Sequence, residues 1–179
     1  MVSLIILAVL AYCFYSGARR GVWLQLIHVV GYLFSLGLAW ATYRPLGVVM
    51  TQWVPYPSAT EQSQFVFFTN QVGLTLDHGF YNGVAFVFML MVGWLVTRFV
   101  ALWFHNLTYR VGDQQVSWLV GGVLNFLMGY LFIFLVLYLF ALIPVTAIQD
   151  MLAHSLIARS IVRYTPGLTS LFTTLWIAK

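Results

Sequence analysis

Residues 117–143 read SWLVGGVLNFLMGYLFIFLVLYLFALI, and no formal charge occurs anywhere from Gln114 to Gln149. About 20 apolar residues suffice for a helix to cross the hydrocarbon core of a bilayer. In hydrocarbon every backbone N–H and C=O must be satisfied within the segment, so an isolated run of this kind has to be helical. The glycines say which side of that helix meets protein. Gly122 and Gly129 are two turns apart on one stripe, where a missing side chain admits a neighbouring helix. Asn125 lies between them, about 60° round the helix. A buried amide needs partners, so this side is expected to face other helices and not lipid.

The same reading extends outward. With 62% hydrophobic and 7% charged residues in 179, and a mean hydropathy of +0.93, the chain has too little charge to clothe a water-soluble globule. The expected fold is all-α: a polytopic membrane helix bundle of about four transmembrane helices plus short interfacial helices. The spans fall near 2–18, 22–43, 80–104 and 118–143. A loop at 44–79 separates the second from the third, and the bundle of 1–143 is followed by an amphipathic C-terminal tail, 144–179.

The first span is short and ends at Gly17-Ala18-Arg19-Arg20-Gly21. Arginines after an apolar core are the reverse of a cleaved signal peptide, so the span is expected to be retained; a re-entrant hairpin is the rival reading. In the second span Gly31, Ser35 and Ala39 recur every four residues, a stripe of the kind that packs helices closely in lipid. His28, one turn from Gln25, suits either a proton relay or an imidazole bonded to a neighbour near the interface. Arg98, toward one end of the third span, reads as snorkelling to the headgroups or as a contact to a substrate or ion.

In the loop, Leu46, Val49, Met50 and Trp53 predict a short interfacial helix after Pro45. Ser58 and Glu61 have capping-box spacing for a further helix carrying Phe65, Phe67 and Phe68. Past Pro144, Ile148, Met151, Ala158 and Val162 form one apolar line, and Leu168, Leu171, Phe172 and Leu175 a second. Both pieces are expected to lie along the interface or fold back on the bundle.

The function classes excluded are more numerous than those indicated. Four carboxylates, Glu61, Asp77, Asp113 and Asp150, stand far apart. His28, His78, His105 and His154 show no metal-ligand spacing, and the single Cys13 allows neither a disulfide nor a cysteine cluster, so no metal is expected. Ser155, His154 and Asp150 lack the turn that presents a nucleophilic serine. No phosphate-binding glycine loop is present and no cofactor is expected. A net charge of +4 suits anionic lipid headgroups but is too scattered for nucleic acid. The chain reads as a non-enzyme whose partners are the bilayer and either a membrane protein or further copies of itself.

Gly17-x-Arg19-Arg20-Gly21 after a short first span, Gly31 and Ala39 in the second, and Leu119-x-Gly121-Gly122 opening a last span that continues to Gly129 resemble the colicin V production (CvpA) membrane protein family. The likeness extends to Ser155 and the stretch around Pro166. The first span lacks the acidic residue that many members carry near its start, so no role of that carboxylate is carried over. The resemblance implies a multi-pass protein of the bacterial inner or plasma membrane, linked to bacteriocin or toxin production or to envelope processes by binding or scaffolding membrane partners. Some relatives carry a serine protease on the outer side. The helix-packing residues are then Gly17, Gly21, Gly31, Ser35, Ala39, Gly121, Gly122 and Gly129, with polar contacts at Arg19, Arg20, His28, Arg98 and Asn125. The alternative is a small channel or transporter with a polar path between helices. Adjacent arginines in the first tight turn favour a cytoplasmic turn and both termini outside, against the opposite orientation, in which Arg44, Arg159, Arg163 and Lys179 would lie inside with the termini.

Overall fold

In the computed structural model, residues 1–57, 59–60, 63–73, 75–106 and 114–177 are described. They form an all-α membrane helix bundle, with no strand among the described residues. The helices are α1 (Val2–Trp53), α2 (Asn70–Gly73), α3 (Leu76–Trp103), α4 (Gln114–Ala141), α5 (Thr146–Ala153), α6 (Leu156–Arg163) and α7 (Pro166–Phe172), the last continuing into a π-turn, Thr173–Ile177. α1, α3 and α4 are each long and apolar enough to cross a membrane. Large apolar side chains stand exposed along them, such as Phe34 at 74% and Leu102 at 68%. In water that surface would be costly, and in lipid it is the ordinary outer face.

The chain forms two compact units: Leu7–Ala41 with Phe88–Ile133, and Met1–Ile6 with Thr42–Val87 and Phe134–Lys179.

In the first of these, α1 is not one rod. Gly21 breaks it with φ 73° and ψ 169°, a backbone region essentially confined to glycine. A Cβ on Gly122 would meet the Phe14 ring and one on Gly129 would meet Cys13, so the arm before Gly21 runs antiparallel to α4. After Gly21, Ser117 Oγ accepts from the Val22 N–H at 3.0 Å and Gln25 reaches Asn125, so the second arm runs parallel to α4. The chain therefore reverses at a single residue. Thr97 lies against Gly31 and Ser35 against Gly93, which sets α3 antiparallel to the second arm. The result is four alternating helical segments.

The seam between the second arm and α3 is built reciprocally, each glycine facing a hydroxyl residue. Ser35 Oγ donates to the Gly31 carbonyl and Thr97 Oγ1 to the Gly93 carbonyl, both at 2.7 Å. Each hydroxyl is thereby satisfied within its own helix, and the small side chain as a whole, oxygen included, sits over the opposing glycine. Ala39, on the same small-residue stripe, is fully buried.

In the other unit the core is aromatic. Phe172 and Trp176 are each 2% exposed, packed at 5.1 Å from one another and at 5.4 and 5.8 Å from Phe86. Phe134 and Tyr138 stack at 5.7 Å and also meet Phe172 and Trp176. A Cβ on Gly83 would lie 2.9 Å from the Trp176 ring, so that glycine makes the seat for the indole. The end of the chain is thus folded back into the core of this unit. Its threonines help: Thr165, Thr169 and Thr173, all half-buried, each donate to the carbonyl four residues earlier. Hydroxyls spent on their own helix leave an outer surface that buries like a short aliphatic.

The loop departs from two expectations. No separate interfacial helix follows Pro45, because α1 continues through it to Trp53, with non-helical dihedrals only at Gly21. A proline removes one backbone bond without requiring a helix to end. Phe65, Phe67 and Phe68 are not helical; Phe65 lies against Gly73 and Phe68 meets the Tyr138 ring at 6.1 Å. Ser58 and Glu61 lie outside the described residues.

Gln149, 4% exposed, ties this loop down. It accepts from the Val66 N–H at 3.0 Å and donates to the Ile143 carbonyl at 2.8 Å, where α4 has ended. Tyr56 is a second tie, donating to the Leu142 carbonyl at 2.9 Å and packing 4.9 Å from the Phe80 ring. Burial first, then Asp77 and Tyr81, push its phenol up from the ordinary 10 to about 12. The raised value means that the folded protein holds this proton longer than the unfolded chain does. The stability it contributes is intact below pH 10 and lost as the pH rises from 10 to about 12. In an alkaline absorbance titration, the difference between wild type and Tyr56→Phe should be a phenolate step centred near 12. A step near 10 would mean that the loop does not hold the ring as described.

Candidate functional site

At the Gly21 end of the four-segment unit, three helical stripes converge on a cavity of about 590 Å³. The first arm of α1 supplies Tyr12, Tyr15, Ser16 and Arg19, at i, i+3, i+4 and i+7, with Arg20 beside them. The second arm supplies Leu24 and His28, α3 supplies Arg98, Ala101 and Leu102, and His105 follows just past the end of α3. These spacings put each set on one helical face. Four of the five expected polar contacts, Arg19, Arg20, His28 and Arg98, are therefore brought to one place. Tyr12, Tyr15 and Ser16 were not singled out in the sequence, although the i, i+3, i+4, i+7 spacing they share with Arg19 marks them, and His105 was weighed there only as a metal ligand.

Asn125, the fifth, stands behind the cavity and organises it. Its Nδ2 donates to the Cys13 carbonyl at 2.6 Å, and its Oδ1 accepts from Gln25 Nε2 at 3.1 Å. Gln25, fully buried, in turn accepts from the Arg20 guanidinium at 3.4 Å through its Oε1. The chain of amides uses the break in α1: Cys13 on one arm and Gln25 on the other reach one side chain because the arms reverse at Gly21. Gly17 and Gly121 let the first arm and α4 pass closely beside this chain of amides, since a Cβ on Gly121 would lie 2.7 Å from the Gly17 carbonyl oxygen.

Arg98 and His28 are held by different means. The Arg98 guanidinium lies 4.8 Å from the centre of the Trp94 ring, which steadies it by a cation–π contact and leaves its N–H edges available. His28, 4% exposed, donates from Nδ1 to the Leu24 carbonyl at 2.9 Å, because a carbonyl can only accept. That hydrogen bond sets the tautomer and leaves Nε2 as the other functional atom of the ring.

No carboxylate among the described residues lines the cavity. Asp77 and Asp150 belong to the other unit, and Glu61 and Asp113 lie outside the described residues. Three guanidiniums gathered at the end of a membrane bundle repel one another, and the cost rises as water is excluded. An arrangement of this kind gains most from an arriving anion with several acceptor oxygens.

Ser155, by contrast, has a structural task. Its hydroxyl caps α6 by accepting from the Ala158 N–H at 3.2 Å and shares a hydrogen bond with Ser3 at 2.9 Å. His154 Nδ1 is bonded to the Asp150 backbone carbonyl at 2.8 Å.

Comparison with known proteins gives a family and one relative. The family model described as "Colicin V production protein" matches residues 2–166. An "Uncharacterized transmembrane protein YshB" from Bacillus subtilis (strain 168) is 30% identical over 177 residues, covering 98% of this chain and 97% of the relative. No solved structure matches. With the match running from the first arm of α1 to the start of α7, and with a transmembrane relative of the same extent, the chain belongs to the Colicin V production protein family.

Proposed function

We propose that this chain is a non-enzymatic protein of the bacterial cell membrane that supports toxin production or envelope processes by holding a membrane partner, with the cationic cavity as its recognition element. The observation that carries this reading is the convergence of Arg19, Arg20 and Arg98 on a cavity lined, among the described residues, by no carboxylate. The glycine seams support it indirectly. Gly17, Gly31, Gly93, Gly121, Gly122 and Gly129 are all covered by other parts of this chain, so they serve its own bundle and leave recognition to other surfaces. A continuous polar path is disfavoured because the Asn125 amide is committed to Cys13 and Gln25.

The positive cluster also favours one orientation. Arg98 and His105 stand at the same end of the unit as Arg19 and Arg20, and positive charge near short turns faces the cytoplasm. The termini then lie outside, which reporter fusions after Lys179 would check.

The decisive experiment pairs reconstitution with complementation. Purified protein in liposomes should give no ion flux above empty vesicles. In cells lacking the gene, Arg20→Gln/Arg98→Gln should fail to restore the envelope or toxin phenotype that wild type restores. Flux that Asn125→Leu abolishes would overturn the receptor reading in favour of a channel.

A further inference from the structure

We propose that the cavity binds the phosphate group of an anionic lipid, taking the headgroup among its arginines while the acyl chains lie along the outer face of α3. This rests on the reading of the cavity as a receptor and gives its ligand a chemical class. Three properties of the site select that class.

First, the donors match a tetrahedral oxyanion. Guanidiniums present paired N–H groups that meet phosphate oxygens two at a time. Arg20 and Arg98 are both oriented before any ligand arrives, one by Gln25 and the other by Trp94. His28 adds a ring nitrogen that is a donor when protonated, and bound negative charge favours that form. A carboxylate has two oxygens and fits one such fork, whereas a phosphate can engage two arginines and the imidazole together.

Second, the cavity is at the right place for a headgroup. It lies at the turn end of the helices, where the chain reverses at Gly21 and α3 approaches its last residue, Trp103. Tyr12 and Tyr15, exposed at 64% and 59%, are amphipathic side chains of the kind that sit at headgroup level.

Third, the wall of the cavity continues into an apolar surface. Leu102 lines the cavity and is itself exposed, and Phe99 and Leu95 extend its stripe along α3 by one and two turns, exposed at 63% and 59%. A phosphate free in water would gain nothing from this stripe. A phospholipid would bury its chains on it.

The test uses the full chain in a neutral detergent, with three probes: dihexanoylphosphatidylglycerol, dihexanoylphosphatidylcholine and inorganic phosphate. The anionic lipid should raise the thermal unfolding midpoint and appear as a one-to-one adduct in native mass spectrometry. The zwitterionic lipid and inorganic phosphate should bind at least about tenfold more weakly, a gap of roughly 1.4 kcal/mol. Arg98→Gln, at an exposed position, should weaken the anionic lipid about tenfold without altering the helical content, Arg98→Lys should restore only part of the loss, and Arg44→Gln, outside the cavity, should change nothing.

Inorganic phosphate binding as tightly as the anionic lipid would overturn the lipid assignment. Equal binding of the two lipids, or indifference to Arg98→Gln, would overturn the proposal as a whole. Arginine-dependent binding of a short-chain fatty acid with none of the phosphate lipid would overturn the phosphate class and leave the receptor reading standing. Failure of every anion would remove both.

Discussion

Gly17→Ala should lower the unfolding free energy by about 1–3 kcal/mol or more, the cost of overpacking a filled site. A Cβ there would collide with the Gly121 carbonyl oxygen and with Asn125 Cβ. The first is main chain and cannot swing aside, so the first arm of α1 and α4 must separate. Separation stretches the Asn125 bond to the Cys13 carbonyl and, through Gln25, loosens Arg20. The effect on binding at the cavity should therefore accompany the effect on stability. Gly37→Ala is the matched control, because nothing lies within 4 Å of a Cβ at that position. It should be neutral or gain up to about 1 kcal/mol from helix propensity. Denaturing-detergent titrations followed by circular dichroism would compare the two. Equal midpoints for Gly17→Ala and Gly37→Ala would mean that this seam is not a close contact.

Gly21→Ala should cost a further about 1–3 kcal/mol by a different route, backbone strain and not crowding. At φ 73° and ψ 169° an L side chain meets its own carbonyl and amide neighbours whatever the surroundings allow. One neighbour complicates the reading, since a Cβ at 21 would also stand 3.1 Å from Ser117 Oγ. The comparison is therefore best made twice, once in wild type and once in a Ser117→Ala background. A penalty that persists in the second locates the cost in the turn. Its disappearance there would show that the hydroxyl was the obstacle and that the turn tolerates other residues. Because this one residue reverses the chain, the variant should also lose the meeting of Cys13 and Gln25 at Asn125, and with it the tie that orients Arg20.

Much of this architecture was legible along the chain. Apolar runs of sufficient length specify membrane helices without reference to any neighbour, because lipid leaves the backbone no other way to satisfy itself. The small-residue stripes at Gly31, Ser35 and Ala39, and at Gly122 and Gly129, named the faces that pack. Arg19, Arg20, His28 and Arg98 were each noticed as polar groups where few are tolerated.

Other features resisted a linear reading for identifiable reasons. The threonines near the end of the chain look like a solvated face, since composition cannot show that a hydroxyl is bonded to the carbonyl four residues back. Pro45 looks like a boundary, but a helix already supported on both sides of a proline need not stop. Gln149 carries no pattern at all, because its three partners come from a loop and from the frayed end of α4.

The amino-acid sequence by itself determined that the protein lives in lipid as helices and which of their faces are smooth enough to touch. The tertiary structure alone decided that the turn between the first two spans is made by Gly21 by itself, the one residue with non-helical dihedrals, and that Arg20 and Arg98, far apart in the chain, share one cavity. Hydropathy and periodicity act on neighbours within a turn or two. The meeting of distant side chains depends on which seams close, and that is settled by the packing of all the helices at once.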